Sequence, residues 1–346
     1  MEEQNKNIKK LSNKIELDVL LTTRCNLYCK HCLYVKKGVY VDLPEKILNK
    51  ILLQLPRDKS AVHFLGGEPL LRKDILSIIK RTDKLGLKPQ ILTNGYILTN
   101  KFLKSLHEAG LETIGFSLDG TENIHNFIRG EKDVFRKVID AIIFAKKLGY
   151  VPKICSTIHK KNKDSVLNLL PLLDKLNVGR VLIQYFFPVN KAKEYLNGNN
   201  LNPKEWNIFI NKIKEIKKKN RLLLKIIVQK VFSSDKSRNK KFTCVCNNNQ
   251  YPVIDAYGNY FPCILFFDAN YPMGNIKNHT WKVLNSQRFT KEFLKVIAQK
   301  TSGYDDKKLR ILCPAVRLMI VQKKLNLDNL YGYKTTMECF HNVLII

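Results

Sequence analysis

Over the first 190 residues, apolar positions switch repeatedly between a period of two and a period near 3.6, the signatures of strand and helix. Ile15, Leu17, Val19 and Leu21 alternate with Glu16 and Asp18, which predicts a first strand. Pro44, at a first-turn position, and then Ile47, Leu48, Ile51 and Leu52 predict a helix. A strand over 61–65 runs into Gly66-Gly67-Glu68-Pro69, and Ile75, Ile78, Ile79 and Leu85 mark a helix stopped by Gly86. The strand over 88–93 ends at Asn94-Gly95. Thr99 caps a helix that Gly110 stops, and the strand over 112–118 ends at Asp119-Gly120. A helix over 133–148, a strand over 153–158, a helix over 164–176 and a strand over 180–187 complete the run.

Six strand–helix steps imply an α/β fold: parallel units closing partway into a (β/α)6 barrel. In such folds reactive groups gather beyond the carboxyl ends of the strands. Cys25, Cys29 and Cys32, Gly66 to Pro69, Asn94 and Asp119 all stand there. The pattern divides the chain into a tail at 1–14, the barrel at 15–189 and a linker with a lysine-rich bridging helix at 190–232. The remainder, 233–346, has short segments, many aromatics and five cysteines, and reads as a smaller second domain.

A chain of 346 residues, 45% hydrophobic, buries a sizeable core. No signal peptide and no membrane-spanning run is present, so nine clustered cysteines suggest a reducing cytoplasm and metal chemistry rather than disulfides. The formal charge of +30 fits either an acidic partner, such as a nucleic acid or an acidic peptide, or lysines spread over solvated helix faces. The run at 214–220 sits on an amphipathic pattern and no aromatic-studded basic motif appears, which favours the second reading.

Cys25, Cys29 and Cys32 are spaced C-x3-C-x2-C. Three thiolates within eight residues can hold three irons of a [4Fe–4S] cube and leave the fourth open, because no fourth cysteine lies nearby; zinc is the alternative. With Gly-Gly-Glu-Pro after the second strand, and Phe-Ser-Leu-Asp-Gly (116–120) followed by Ile-Arg-Gly (128–130), the constellation resembles the radical S-adenosylmethionine (radical SAM) enzymes, in particular their peptide-modifying branch.

That resemblance implies that the open iron chelates the methionine part of S-adenosylmethionine, and that reductive cleavage gives a 5′-deoxyadenosyl radical that abstracts a substrate hydrogen. Gly66, Gly67, Glu68 and Pro69 would lie at the amino group, Ser117 and Arg129 at the carboxylate, and Asn94 and Asp119 at the ribose, although the last two could equally be turn residues. The electron would come from a reduced flavodoxin or ferredoxin. The substrate would be a ribosomally made precursor peptide, crosslinked or epimerised. Only some fifteen residues precede the first strand, so recognition of a leader would need another surface or a separate leader-binding protein.

Cys244, Cys246 and Cys263, with Gly258 five residues before the last and Met-Gly-Asn-Ile at 273–276, resemble the SPASM or twitch extension that holds auxiliary clusters. Cys244, Cys246, Cys263 and Cys313 would supply one auxiliary [4Fe–4S] cluster, with Cys339 a substitute ligand, a free thiol or a remnant of a second site. Structural zinc is the plain alternative. Ile264 follows Cys263 where sulfatase-maturing relatives carry a presumed aspartate base, which argues against formylglycine formation; Asp268 lies nearby.

Cys155 belongs to neither set. Alternation on its strand turns Cys155, Thr157 and His159 inward, against Ile154, Ser156 and Ile158. The same logic turns Ser117 inward. Cys155, or else Cys339, is a candidate hydrogen-atom donor to a substrate radical, as epimerising relatives of this branch require. Two rival functions stay open: a radical enzyme of the same architecture acting on a small molecule such as a tetrapyrrole, and a zinc-stabilised nucleic-acid-binding protein.

Overall fold

Parallel pairing begins where the first alternating segment meets the second: β1 (Ile15–Leu20) lies beside β2 (Ser60–Leu65) with Leu17 opposite Val62 and Val19 opposite Phe64. The coordinates are a computed structural model that describes residues 15–32, 38, 40–187, 198–229, 231–233, 246, 251–302, 314–322, 336–337 and 343–346. Cys244, Cys313 and Cys339 lie outside the described residues.

The sheet then adds β3 (Lys88–Thr93), β4 (Thr113–Ser117), β5 (Lys153–Ile158) and β6 (Arg180–Tyr185), each parallel to its predecessor. Between them run α1 (Glu45–Leu52), α2 (Ile75–Lys84), α3 (Asn100–Glu108), α4 (Glu122–Arg129), α5 (Val134–Lys147) and α6 (Lys163–Lys175). Each helix buries one stripe: Ile75, Ile78 and Ile79 on α2, and Val134, Val138, Ile142 and Ala145 on α5. Phe64 and Phe116 are fully buried beneath this layer, each such side chain contributing roughly 1.5–3 kcal/mol. Where a mixed-polarity strand alternates, its apolar set faces the helices: Ile154 and Ile158 are buried while Cys155 and Thr157 face the interior cavity.

Three details differ from the sequence expectation. Pro44 is the residue before α1 rather than part of its first turn. The segment at 121–130, to which the sequence pattern assigned no element, forms α4 and ends on Gly130 in the left-handed region (φ 82°). The apolar run at 222–228, expected as part of the bridge, supplies β7 (Ile226–Gln229), parallel to β6, so that α7 (Pro203–Lys219) is a crossover helix and a seventh strand continues the series from β1 to β6. A reciprocal cap of Asn202 and Glu205 starts α7.

At the other edge, chain from the C-terminal part joins the same sheet. β8 (Phe232–Ser233) pairs away from it with β12 (Thr336–Met337), whereas β9 (Val253–Ile254) runs parallel to β1. β10 (Asn259–Phe261) and β11 (Gly274–Asn275) extend that edge antiparallel, and β13 (Val343–Ile345) pairs antiparallel with β7. The turn from β9 to β10 is set by Asp255, whose carboxylate accepts from the Tyr257 and Asn259 amides, and by Gly258 at φ 83°. Helices α8 (Ile264–Asp268), α9 (Trp281–Leu284), α10 (Gln287–Lys300) and α11 (Pro314–Val321) pack beyond it. Among the described residues, no helix is long and apolar enough to cross a membrane.

Candidate active site

The loop after β1 is fixed before any ligand is considered. The Thr22 hydroxyl donates to Asp42 at 2.6 Å, and Arg24 pairs with the same carboxylate. Across the loop, the Gly67 amide donates to the Thr22 carbonyl and the Glu68 amide to the Arg24 carbonyl, both at 2.7 Å. Only glycine permits this approach. A Cβ on Gly67 would lie 2.0 Å from the Arg24 oxygen, and one on Gly66 would lie 2.6 Å from the Thr22 oxygen. The two glycines therefore serve first to bring the second strand's end against the cysteine loop. Lys30 is anchored on the far side, its amide donating to the Ile128 carbonyl at 2.8 Å.

Cys25, Cys29 and Cys32 all face one cavity of about 250 Å3. Gly66, Gly67, Glu68, Asn94, Ser117 and Arg129 share its wall, as do Cys155, Thr157 and Gln184 farther in, and Ile264 and Asp268 of α8. Pro69 is buried at the start of a short turn that Glu68 caps. Asp119 lies behind the wall, 1% exposed, so its partners are protein groups: the Arg129 guanidinium, the Thr157 amide at 2.9 Å, and His31 at 3.9 Å. Burial alone would raise its carboxyl, but the Arg129 guanidinium, helped by the Thr157 amide, outweighs burial and holds it well below the usual carboxylate range.

Arg129 is the most constrained cation of the site. It pairs with Asp119 and reaches the Cys29 sulfur at 3.6 Å, while its Nε has no partner among the described residues. A buried guanidinium with one open edge suits an anion. Glu68 accepts from the Thr93 hydroxyl at 2.8 Å, the Asn94 amide at 2.8 Å and the Leu70 amide at 3.1 Å; burial nonetheless pushes its carboxyl up to about 7. The Asn94 side chain donates to Asn26 at 2.9 Å and lies 3.8 Å from the Cys25 sulfur. Burial pushes the Cys25 thiol up to about 12 and raises Cys29 as well. Loading of metal must therefore displace protons from these sulfurs.

Sequence reasoning did not single out His31 or His125, and it turned His159 inward beside Cys155 and Thr157. Burial lowers their imidazoles to about 4, 3 and 3, so all three are neutral. His125 Nδ1 accepts from the Asp119 amide at 3.0 Å, which orients the aspartate toward Arg129. His159, expected to line the cavity, is fully buried behind it, with its ring centroid 6.2 Å from that of His31. No signal in the sequence separates His31 and His125 from surface histidines.

In the C-terminal part, Cys246 and Cys263 are both buried near Tyr260, and Cys263 is the residue before α8. No disulfide joins any of the described cysteines. Among the described residues no group of three or more His, Cys, Asp or Glu side chains is arranged around a single metal ion.

Soft sulfur donors in a set of three, with an open-edged guanidinium beside them, are the donors that an iron–sulfur cluster and an amino-acid carboxylate require. The comparisons agree. Residues 19–170 match the model of the radical SAM superfamily, and residues 244–313 match that of an iron–sulfur cluster-binding domain of the SPASM type. The chain thus carries a radical SAM domain followed by a SPASM domain. It is similar to the GTP 3′,8-cyclase of Aquifex aeolicus, 36% identical over 191 residues that cover 51% of this chain and 59% of that protein. It is also similar to the Fe-coproporphyrin III synthase of Methanosarcina barkeri, 27% identical over 180 residues that cover 51% of this chain and 45% of the relative. The chain thus spans roughly half the length of these curated relatives. Its fold matches Streptococcus suis SuiB, solved bound to the precursor peptide SuiA, with a TM-score of 0.68 at 16% identity over 84% of this chain and 70% of that one.

Proposed function

We propose that this radical SAM enzyme abstracts hydrogen from a ribosomally synthesised peptide and thereby crosslinks or epimerises it. The observation that carries the proposal is the shared cavity, in which three thiols, an open-edged Arg129 and side chains of the C-terminal domain converge. Support for a peptide comes from the fold shared with SuiB across most of the chain, C-terminal domain included.

Cys25, Cys29 and Cys32 would hold the cluster, while Arg129 and Ser117 would take the methionine carboxylate of S-adenosylmethionine and Glu68 would face its ammonium. Together these two groups supply, when bound, a carbon-centred radical made at the expense of one electron. The chain's own residues do the rest. Asp119 fixes Arg129, the Gly66–Gly67 backbone fixes the cysteine loop, and the buried wall would hold the substrate in place against the thiol side. Cys155, whose thiol donates to Gln184 at 2.8 Å, lies on the inner wall where it can return a hydrogen atom to a substrate carbon. Cys244, Cys246, Cys263 and Cys313 would hold an auxiliary cluster.

A second reading, a small tetrapyrrole as substrate, is favoured by the similarity to an Fe-coproporphyrin III synthase. Anaerobic reconstitution with iron, sulfide and zinc counts, followed by assay of 5′-deoxyadenosine under reductant, tests the chemistry. About eight irons per chain are expected for two clusters and about four for one; bound zinc without 5′-deoxyadenosine would sink the proposal. Mass spectrometry then separates the readings, since a mass change on a peptide supports the first and one on a porphyrin the second.

A further inference from the structure

The cysteine loop has two sides. Its thiols face the cavity, whereas Tyr28 and Lys30, which flank Cys29 in sequence, are absent from the cavity wall. On that outer side the surface is unusually aromatic. Tyr28 is 42% exposed, Tyr40 54% and Phe127 of α4 50%, three of the chain's few exposed large apolar side chains. Two contacts organise this surface: the Tyr28 and Tyr40 hydroxyls hydrogen-bond, and the Lys30 ammonium, two residues along the loop, stands 4.7 Å from the Phe127 ring centroid. The patch is held firmly, because the Lys30 amide is bonded to the Ile128 carbonyl, next to Phe127.

We propose that this patch docks the protein that delivers electrons, an acidic one-electron carrier. The inference rests on the reading of Cys25, Cys29 and Cys32 as a cluster site. The thiols face the cavity, which leaves the outer side of the loop for a donor, and one peptide link separates Tyr28 from Cys29. Exposed aromatics have the composition of an interface core, and electron-transfer encounters need only small interfaces. The turn at Glu131 to Asp133 is of mixed sign, so long-range attraction of an acidic carrier comes from the net charge of +30, with Lys30 the cation at the contact.

The test follows reduction of the reconstituted chain by absorbance, with reduced flavodoxin as the protein donor and dithionite as a small one. Phe127→Ser is expected to lower the second-order rate with flavodoxin about tenfold. Lys30→Glu is expected to lower it about fivefold and to flatten its dependence on ionic strength. Iron content and the dithionite rate should stay at the wild-type value, and oxidised flavodoxin should bind both variants more weakly in titration. Equal slowing with both donors, or none with flavodoxin, overturns the proposal. So does a raised substrate KM with dithionite as donor, which would make the patch a substrate dock. A chain that takes up no iron at all overturns the cluster reading itself, a failure distinct from the other three.

Discussion

The two cysteine regions sit in opposite surroundings. Around Cys25, Cys29 and Cys32 the chain places a guanidinium, two carboxylates and three neutral imidazoles, most of them buried and bonded to one another. Around Cys246 and Cys263 the described neighbours are Tyr260, Phe261 and Phe266, all fully or nearly fully buried. A metal group in the first setting meets oriented charge and an open cavity, as a group that binds a charged small molecule must. One in the second setting meets, among the described residues, buried aromatic side chains, which suits storage or relay of electrons and structural support. The sheet links them physically, because β9 of the C-terminal part pairs with β1, which leads into the first loop.

The sharpest way to break this contrast is to remove one sulfur from each region. Cys25→Ala is expected to abolish 5′-deoxyadenosine formation to background and to remove about four irons per chain. Cys263→Ala should remove a similar number while leaving 5′-deoxyadenosine formation measurable. Iron analysis with product chromatography on both variants checks this, and equal loss of 5′-deoxyadenosine would mean that the two regions are not chemically distinct.

Next in size is the ion pair that the first region has and the second lacks among the described residues. Arg129→Met leaves Asp119 charged, buried and without its guanidinium, a change that costs about 3–5 kcal/mol. Urea unfolding of the iron-free chain measures it. Arg129→Lys should recover part of the stability but not S-adenosylmethionine affinity, since an ammonium cannot offer two parallel donors.

Much of this arrangement was legible in the sequence, and the parts that were not share a cause. The strands 88–93 and 153–158 could be read to the residue, because the alternation there is bounded by clear breaks. Ser117 and Cys155 could be assigned to the cavity side from alternation alone, since a sheet beneath helices fixes which face is apolar. Helix α4 was missed because its eight residues, Glu-Asn-Ile-His-Asn-Phe-Ile-Arg, put only Ile128 and two polar residues, His125 and Arg129, into the buried set. Its buried face is polar because it serves the site. Likewise, nothing local marks the Asp119–Arg129 pair, ten residues apart, or the role of His125 between them. Strand β7 is short and reads as an apolar run until β6 is beside it.

The buried imidazoles give the third effect, a pH dependence confined to the first region. Burial lowers His125 from 6.5 to about 3, so the folded chain keeps it neutral where the unfolded chain protonates it. Below pH 6.5 the unfolded state binds the additional proton, and stability falls as the pH drops toward 3. Between pH 7 and 5 this single group accounts for about 2 kcal/mol. His125→Asn keeps an acceptor for the Asp119 amide and removes the titration. Unfolding at both pH values should show a smaller loss in the variant by about that amount.

The smallest expected effect on cofactor cleavage is also the most discriminating about the inner wall. Cys155 is held by Gln184 and is raised to about 12 by burial, so it stays a thiol throughout the working range. A neutral S–H can give a hydrogen atom to a carbon radical, whereas a hydroxyl, with its stronger O–H bond, cannot. Cys155→Ser preserves the hydrogen bond to Gln184 and nearly the volume. It should therefore leave stability within about 1 kcal/mol of wild type and 5′-deoxyadenosine formation within about twofold. If the reaction is epimerisation, deuterium from solvent should enter the product of the wild-type chain and no epimerised product should form in the variant. If it is crosslinking without a returned hydrogen, product should persist in the variant and carry no solvent deuterium. Persistence of an epimerised, deuterated product in Cys155→Ser would remove Cys155 from the chemistry and leave it as a packed wall residue of the cavity.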